Sequence, residues 1–238
     1  MRLDWQAAPA VLAPGTRLYA IGDIHGCAAR LRELHAMVAS DLAARPIARA
    51  VLVHLGDSVD KGGDPRGVLD ALLALEMPGA EVVNLRGNHE ALMRDALDGV
   101  PGAAADWLWC GGEHTLVSYG TNGKAGREAW AAAIPPTHLA LLRDGLALHH
   151  REGPYLCVHA GIRPGVALPA QSEDDLLTIR GDFLHATMMH EAVVVHGHTA
   201  RLAPEVKPNR VNLDTAAFCG GALTCGVFEA DRLAFLTA

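Results

Sequence analysis

The sequence lacks any apolar stretch near the roughly 20 residues that a membrane-spanning helix needs, so no membrane segment is predicted. Residues 1–15 lack a basic region followed by an apolar core, so no secretory signal is predicted either. CxxC pairs are also absent, and the odd number of scattered cysteines favours reduced thiols in a cytoplasmic protein. A pair between the last two stays open beside the alternative of buried small hydrophobes. The five are Cys27, Cys110, Cys157, Cys219 and Cys225.

A surplus of positive charge is missing as well. The chain has 20 basic and 27 acidic residues and no basic run or stripe, so a nucleic-acid partner is not expected. A phosphate site remains possible in principle, because bound cations would reverse the local sign. Half of the 238 residues are hydrophobic, which suits one large α/β domain over residues 1–238. Two smaller domains are an alternative.

Apolar runs and helical patterns alternate in the first half, which predicts parallel βαβ units. The middle of the chain, about 100–144, has no strand pattern and is interpreted as a helical insertion. It would either bind a ligand or simply cover the sheet. After Gly145 closely spaced strand patterns return and predict a second sheet. The predicted strands span 18–21, 51–55, 82–85, 146–149, 155–158, 192–195, 210–213, 223–228 and 233–236, and the first helices about 28–42, 68–75 and 91–97.

Polar clusters rich in glycine follow five of these strands. They read GDIHG (22–26), GDSVDKG (56–62), GNHE (87–90), HAG (159–161) and GH (197–198). In an open α/β sheet, ligands bind in the crevice beyond the carboxyl ends of the strands. We therefore expect these clusters to converge on one site.

The side chains in these clusters have the chemistry of metal ligands. Carboxylate, imidazole and amide groups together suit Mn, Fe or Zn, whereas a structural zinc site would more often use several cysteines. Two ions about 3.5–4 Å apart can hold a hydroxide and clamp both oxygens of an in-line displacement at phosphorus. The sequence therefore predicts a two-metal hydrolase. The candidate ligands are Asp23, His25, Asp57, Asn88, His159 and His198.

The five clusters, spread over residues 18–226, resemble the signature of calcineurin-like metallophosphoesterases. More narrowly, they resemble the PPP family of serine/threonine phosphoprotein phosphatases, in its compact bacterial and phage lambda type. The resemblance implies a four-layer α/β/β/α sandwich of two mixed sheets with flanking helices and a small helical insertion. It also implies two divalent ions, with Mn²⁺ expected first and Fe, Zn or Ni as alternatives.

By the same resemblance, Asp57 would bridge the two ions. His89 would act as the general acid and Asp60 would orient it. Two arginines would bind phosphate oxygens, and His196 would be a packed strand residue or a supporting one. The remaining roles are the first metal for Asp23 and His25, the second metal for Asn88, His159 and His198, and phosphate contacts for Arg86 and Arg180.

One position departs from the family pattern. Lys61 stands where the family has arginine, and lysine keeps the charge but loses the two-pronged geometry. We expect a phosphate contact there that is weaker or differently placed. This affects the choice of substrate more than the type of reaction.

The resemblance implies hydrolysis of phosphoserine or phosphothreonine in proteins, and of aryl phosphates, by attack of a metal-bridging hydroxide. The substrate would be a phosphoprotein or a small phosphoester. A symmetrical diadenosine tetraphosphate hydrolase is the alternative, and that relative tends to carry GNHD and to lack the aspartate that is Asp60 here. Glu90 and Asp60 therefore favour the phosphatase. A non-catalytic metal-binding scaffold is disfavoured because all candidate ligands are present. Oligomeric state and regulatory partners are not indicated.

Overall fold

The computed structural model describes residues 3–238, which form two mixed β-sheets. The first has the strand order β1-β11-β10-β2-β3-β4, and the second β5-β6-β7-β9-β8. The first comprises β1 (Gln6–Ala7), β2 (Thr16–Ile21), β3 (Arg49–His54), β4 (Glu81–Asn84), β10 (Thr224–Glu229) and β11 (Arg232–Thr237). The second comprises β5 (His149–Glu152), β6 (Tyr155–Val158), β7 (Val193–His196), β8 (Glu205–Val206) and β9 (Arg210–Asn212).

Each sheet has a parallel centre and antiparallel neighbours. Strands β2, β3 and β4 are parallel, and β10 and β11 continue that sheet antiparallel to them. In the second sheet β6, β7 and β9 are parallel, with β5 and β8 antiparallel at the edges. Every polar cluster predicted from the sequence begins within three residues of the end of one of these parallel strands.

Helices cover the outer faces of both sheets. The inner faces share a core in which Leu18 and Val51 pack with Tyr155 and Val195. On the outer side of the first sheet lie α1 (Ala28–Ala44), α2 (Pro65–Leu73) and α3 (Asn88–Asp98), and outside the second lie α8 (Glu173–Thr178) and α9 (Gly181–Leu184). The predicted α/β/β/α sandwich of two mixed sheets is confirmed.

The segment 100–144 is helical, as the sequence predicts. It packs on the helical side of the first sheet, where fully buried Trp107 meets Trp130 edge-on at 5.8 Å between ring centroids. Pro136 occupies the first turn of the last helix, where its missing N–H costs nothing. The helices are α4 (Ala103–Trp107), a π-helical turn (Leu108–Gly112), α5 (Glu113–Ser118), α6 (Arg127–Ala133) and α7 (Pro136–Asp144).

The strand predicted at 146–149 is wrong, because β5 begins only at His149. Leu146 packs with the helices of the first sheet and Leu148 with the outer core of the second, so this apolar run crosses between layers. Ala147 makes only an isolated bridge to Leu85. The short strands β1 and β8 and the helices α8 and α9 were not predicted from the sequence either, since two to six residues carry little periodicity.

Within residues 3–238, no helix has the length and apolarity to cross a bilayer. The five cysteines are free thiols, so Cys219 and Cys225 do not pair. Cys157 and Cys225 are buried as small hydrophobic residues.

Candidate metal centre

The backbone at the strand ends adopts conformations that side chains rarely take. Of the seven non-glycine residues with positive φ in the described chain, five lie in the polar clusters. Such conformations cost about 1–3 kcal/mol each and persist where the surroundings fix them, often at functional sites. The five are His25 (φ 41°), Asp57 (φ 50°), Asp60 (φ 67°), Lys61 (φ 60°) and His198 (φ 63°).

Asp57 is at the middle of the converging side chains. Its Oδ2 lies 3.3 Å from His25 Nε2 and its Oδ1 lies 3.4 Å from His159 Nε2. Burial by itself would raise the pKa of Asp57, but the imidazoles of His159, His89 and His25 hold that pKa well below its usual range. Asp57 is therefore an ionised carboxylate with one oxygen facing each side.

Two groups of candidate ligands share Asp57. One group is His25, Asp57 and His89, and the other is Asp57, His159 and His198. Within each group the candidate ligand atoms lie within 4.8 Å of one another. Below they are called the His25 group and the His159 group. A carboxylate that belongs to both is the arrangement expected of a bridging ligand.

The rings of His25 and His159 are oriented by backbone carbonyls. Nδ1–H of His25 donates to the Val59 carbonyl, and Nδ1–H of His159 donates to the Leu55 carbonyl, each at 2.9 Å. Because Nδ1 carries the proton in each neutral ring, Nε2 has a lone pair, which is directed at Asp57. Lone pairs that face one another repel, so the approach of His159 Nε2 to Asp57 fits a cation placed between them, whereas at His25 the Lys61 ammonium group already lies 3.0 Å from Nε2.

Asn88 completes the His159 group. Its Oδ1 lies 2.9 Å from His198 Nδ1 and 3.0 Å from His159 Nε2. Burial, with the nearby His159, lowers the pKa of His198 to about 3, so the ring is neutral. His198 Nε2 is buried and has no hydrogen-bond partner among the described residues. It is Nδ1, the nitrogen on the Asn88 side of the ring, that faces the other candidate ligands.

Asp23 lies beside the two groups and is a member of neither. Its carboxylate accepts the backbone N–H of His198 at 3.0 Å. Burial and the neighbouring Asp214 and Asp57 raise the pKa of Asp23 well above its usual range. In the His25 group, His89 stands where the sequence predicted Asp23. A Cβ at Gly197 would sit 1.9 Å from Asp23 Oδ1, so only glycine permits this approach.

His89 and Asp60, the expected general acid and the residue expected to orient it, form a short buried pair. Nδ1–H of His89 donates to Asp60 Oδ2 at 2.7 Å, which leaves Nε2 3.9 Å from Asp57 Oδ2. Burial works against the charged ring, but Asp57 and Asp60 overcome it and raise the pKa of His89. The imidazole therefore retains a proton more readily than a free histidine.

The helical insertion holds Asp60 in place. Trp107 Nε1 donates to Asp60 Oδ1 at 3.0 Å, and Thr115 Oγ1 donates to the same oxygen at 2.6 Å. Sequence reasoning missed both residues. The available signal was indirect, because a buried carboxylate needs donors and the insertion is the segment that follows His89.

Glu90 acts on the backbone. Its carboxylate accepts N–H bonds from Gly87, Asp57, Ser58 and Val59 at 2.6–3.1 Å. It thereby ties the start of α3 to the loop that carries Asp57. These hydrogen bonds all go to backbone N–H groups, so Glu90 fixes the conformation of the Asp57 loop.

Two of the three predicted phosphate-binding cations border the centre. Lys61 Nζ lies 3.0 Å from His25 Nε2. Arg180 is exposed at the start of α9, close enough for its charge to help lower the pKa of His198. Arg86 instead binds Glu173 Oε1 at 3.1 Å and the Arg143 carbonyl at 3.2 Å, so the structure does not bring it into the cluster.

His196 is a packed residue. It is fully buried, and its ring meets Phe183 edge-on at 5.0 Å between centroids. Burial lowers the pKa of His196 to about 3, so it stays neutral. Of the two histidines around Gly197, only His198 reaches the candidate ligands.

A two-sheet sandwich with clustered carboxylate, imidazole and amide ligands at its strand ends defines a metallophosphoesterase. The chain belongs to the calcineurin-like phosphoesterase family, whose model matches residues 16–213. Phosphoester hydrolysis is therefore its chemistry, and the family typically binds two divalent ions.

Two relatives match nearly the whole chain. The chain is 24% identical over 231 residues to the asymmetrical bis(5′-nucleosyl)-tetraphosphatase PrpE of Anoxybacillus flavithermus, which covers 86% of this chain and 87% of that protein. It is 25% identical, with a TM-score of 0.68, to a crystal structure described as a "putative diadenosine tetraphosphatase", covering 98% of this chain and 99% of that one. Neither is named as a protein phosphatase, so the narrower PPP resemblance stays a prediction.

A protein phosphatase shares the fold. The cold-active protein-tyrosine phosphatase of a psychrophilic Shewanella species superposes with a TM-score of 0.62 at 14% identity, covering 95% of this chain and 83% of that one. At this identity the likeness concerns the architecture alone.

Proposed function

We propose that the protein is a metal-dependent hydrolase of dinucleoside polyphosphates, with diadenosine tetraphosphate as the substrate to test. The observation that carries the hydrolase part is the position of Asp57 in both ligand groups, with the His89–Asp60 pair beside it. The substrate class is supported by the names of the two relatives that match nearly the whole chain.

In this proposal each of the two ligand groups would hold one divalent cation, with Mn²⁺ expected first and with His89 acting as proton donor instead of ligand. When bound, the cations supply Lewis acidity and activate water for attack at phosphorus. Asp57 would be shared by both ions, His25 would hold one ion, and Asn88, His159 and His198 would hold the other. Asp23, which lies beside the His25 group, would serve the first ion.

The chain's own residues supply the proton and the phosphate contacts. His89 carries a proton on Nε2 while Asp60 holds Nδ1–H, so the ring can protonate the leaving phosphate oxygen. Water adds to the attacked phosphorus, the P–O bond to the leaving phosphate breaks, and that oxygen takes the proton. Lys61 and Arg180 offset the negative charge of the phosphates at the two sides of the centre.

Hydrolysis of phosphoserine or phosphothreonine in proteins is the second candidate. The presence of Asp60 favours it, because the symmetrical tetraphosphate hydrolase tends to lack this aspartate. Glu90 carries less weight, because all its hydrogen bonds go to backbone N–H groups of the Asp57 loop. The aryl phosphate activity expected from the sequence fits both candidates.

The test begins with hydrolysis of p-nitrophenyl phosphate after chelation and after Mn²⁺ is added back. Activity that disappears and returns supports the metal-dependent hydrolase. Absence of activity on both p-nitrophenyl phosphate and diadenosine tetraphosphate with every divalent ion contradicts it in favour of a scaffold. Rates on diadenosine tetraphosphate and a phosphothreonine peptide then choose the substrate class. Release of ADP alone means symmetrical cleavage, and release of ATP with AMP means asymmetrical cleavage. A strong preference for the peptide would refute the proposed substrate.

A further inference from the structure

One exposed aromatic side chain lies directly against the candidate metal centre. The ring of Phe218 meets that of His25 edge-on, with centroids 5.1 Å apart, and its centroid lies 5.0 Å from Lys61 Nζ. About 38% of Phe218 is exposed to solvent. Single exposed apolar side chains are common and need no explanation by themselves, so it is the position of this ring against His25 and Lys61 that carries the inference.

The loop that presents Phe218 is well defined. Ala216 before it has φ 57° and Gly220 after it has φ 99°, two left-handed positions that set a tight turn. Arg30 of α1 donates to the carbonyls of Ala217 and Gly221 on either side of the ring. The backbone is thus fixed around Phe218, and its exposure is a property of the folded loop.

We propose that Phe218 is a stacking surface for the planar base of the nucleotide whose phosphate occupies the metal centre. This inference rests on the proposed function, because it names the part of the substrate that this side of the site recognises. A base is separated from its own phosphate by a single ribose, so a ring beside His25 and Lys61 lies within its reach. Aromatic rings bind bases through their faces whatever the base, which suits a substrate with a nucleoside at each end.

Phe218 also lies next to the ammonium group of Lys61, and that contact gives an alternative role. An aromatic ring stabilises a neighbouring cation, so Phe218 could serve only to hold Lys61 near the phosphate. The two roles differ in what they affect. Loss of Lys61 positioning weakens every phosphate ligand alike, whereas loss of stacking weakens only those that carry a base.

The test compares AMP with ribose 5-phosphate, which differ only in the adenine. Their dissociation constants are measured by titration calorimetry on the Mn²⁺-loaded protein. Stacking of one base on an aromatic side chain corresponds to about 10-fold in affinity, so the wild-type protein should bind AMP about 10-fold more tightly. Phe218→Leu keeps an apolar side chain of similar bulk without a ring, and should bring the ratio close to one. Phe218→Tyr should keep the ratio.

The control is Leu202→Ala, at a fully exposed apolar residue in the loop after His198, and it should keep the wild-type ratio. Equal binding of the two ligands by the wild-type protein, binding of neither, or an unchanged ratio in Phe218→Leu would overturn the proposal. An equal loss for both ligands in Phe218→Leu would also overturn it, in favour of the Lys61 role. Binding is separate from turnover. A wild-type protein that prefers AMP but leaves diadenosine tetraphosphate intact would refute the proposed substrate and still support stacking.

Discussion

The two ligand groups share Asp57 but differ in what surrounds them. In the His25 group a cation of the protein, Lys61 Nζ, lies 3.0 Å from His25 Nε2, and the insertion orders Asp60 and His89. In the His159 group a neutral amide oxygen lies between two imidazoles, and the exposed Arg180 is close enough for its charge to help lower the pKa of His198. The His25 group therefore has a proton donor and a basic side chain beside its candidate ligands. The His159 group consists of candidate ligands alone.

Removal of Asp57 should have the largest effect, because it disrupts both groups at once. Asp57→Asn keeps the shape of the side chain but loses the charge that both groups share. We expect kcat to fall by more than about 10³-fold, the upper end of what one lost electrostatic group costs, and the bound Mn²⁺ to fall below two ions per chain. The measurements are kcat on p-nitrophenyl phosphate and the metal content after gel filtration. Asp231→Asn, in an exposed turn, is the control, and retained turnover in Asp57→Asn would refute the assignment.

Replacement of His89 should separate proton transfer from metal binding. His89→Asn should lower kcat by about 10²–10⁴-fold with an alkyl leaving group, the range for loss of a general acid. The loss should be smaller for p-nitrophenolate, which departs without a proton. His149→Asn, on the exposed edge strand β5, serves as the control. Equal losses for both leaving groups would show that His89 has another role.

Asn88 tests the His159 group alone. Asn88→Ala removes the oxygen that lies near both His159 and His198. We expect the affinity for one Mn²⁺ to fall by at least about 10–100-fold, the loss seen when even an indirect support of a metal ligand is removed, while the other ion stays bound. Asn88→Asp restores an oxygen and should restore the second ion. An isotherm unchanged by Asn88→Ala would contradict this assignment.

Replacement of Lys61 tests the His25 group, and here metal binding should become tighter instead of weaker. Its ammonium group lies where it repels a cation bound at His25, so Lys61→Met should strengthen binding of that ion while weakening phosphate binding. We expect about a 10-fold tighter ion, well within the roughly 4 kcal/mol that two unit charges exert at 4 Å and an effective dielectric of 20. Isothermal titration with Mn²⁺ and the Ki of phosphate measure the two effects. Lys124→Met, at an exposed lysine of the insertion, is the control, and weaker Mn²⁺ binding in Lys61→Met would reverse the interpretation.

The difference between the two ligand groups shows which parts of the site can be predicted from the sequence. His25, Asp57, His159 and His198 each follow a strand at a glycine-rich turn, so local pattern was enough to predict that they lie together. The closely spaced strand patterns after Gly145 predicted a second sheet, whereas the packing of the two sheets face to face followed from the family resemblance. The wrong strand at 146–149 arose from an apolar run that passes between two layers.

What local pattern could not reveal depends on contacts distant in sequence. Thr115 reaches Asp60 across 55 residues and Trp107 across 47. Arg86 precedes GNHE directly, yet its guanidinium binds Glu173, 87 residues away. Neither set of contacts leaves a mark in the spacing of the motifs, because both arise from packing of the insertion and of α8 against the sheets.

The smallest predicted effect concerns pH, and it follows from the opposite shifts of two histidines. The pKa of His89 is raised by Asp57 and Asp60 against the effect of burial, whereas burial lowers that of His198 to about 3. A general acid must be protonated, so kcat/KM should fall as pH rises through the raised pKa of His89. Asp60→Asn removes one of the raising charges, so this alkaline limb should move to lower pH. His198 is already neutral throughout that range and should add no limb. The pH profile of kcat/KM in the two proteins measures the shift, and an alkaline limb that stays in place in Asp60→Asn would assign it to a group other than His89.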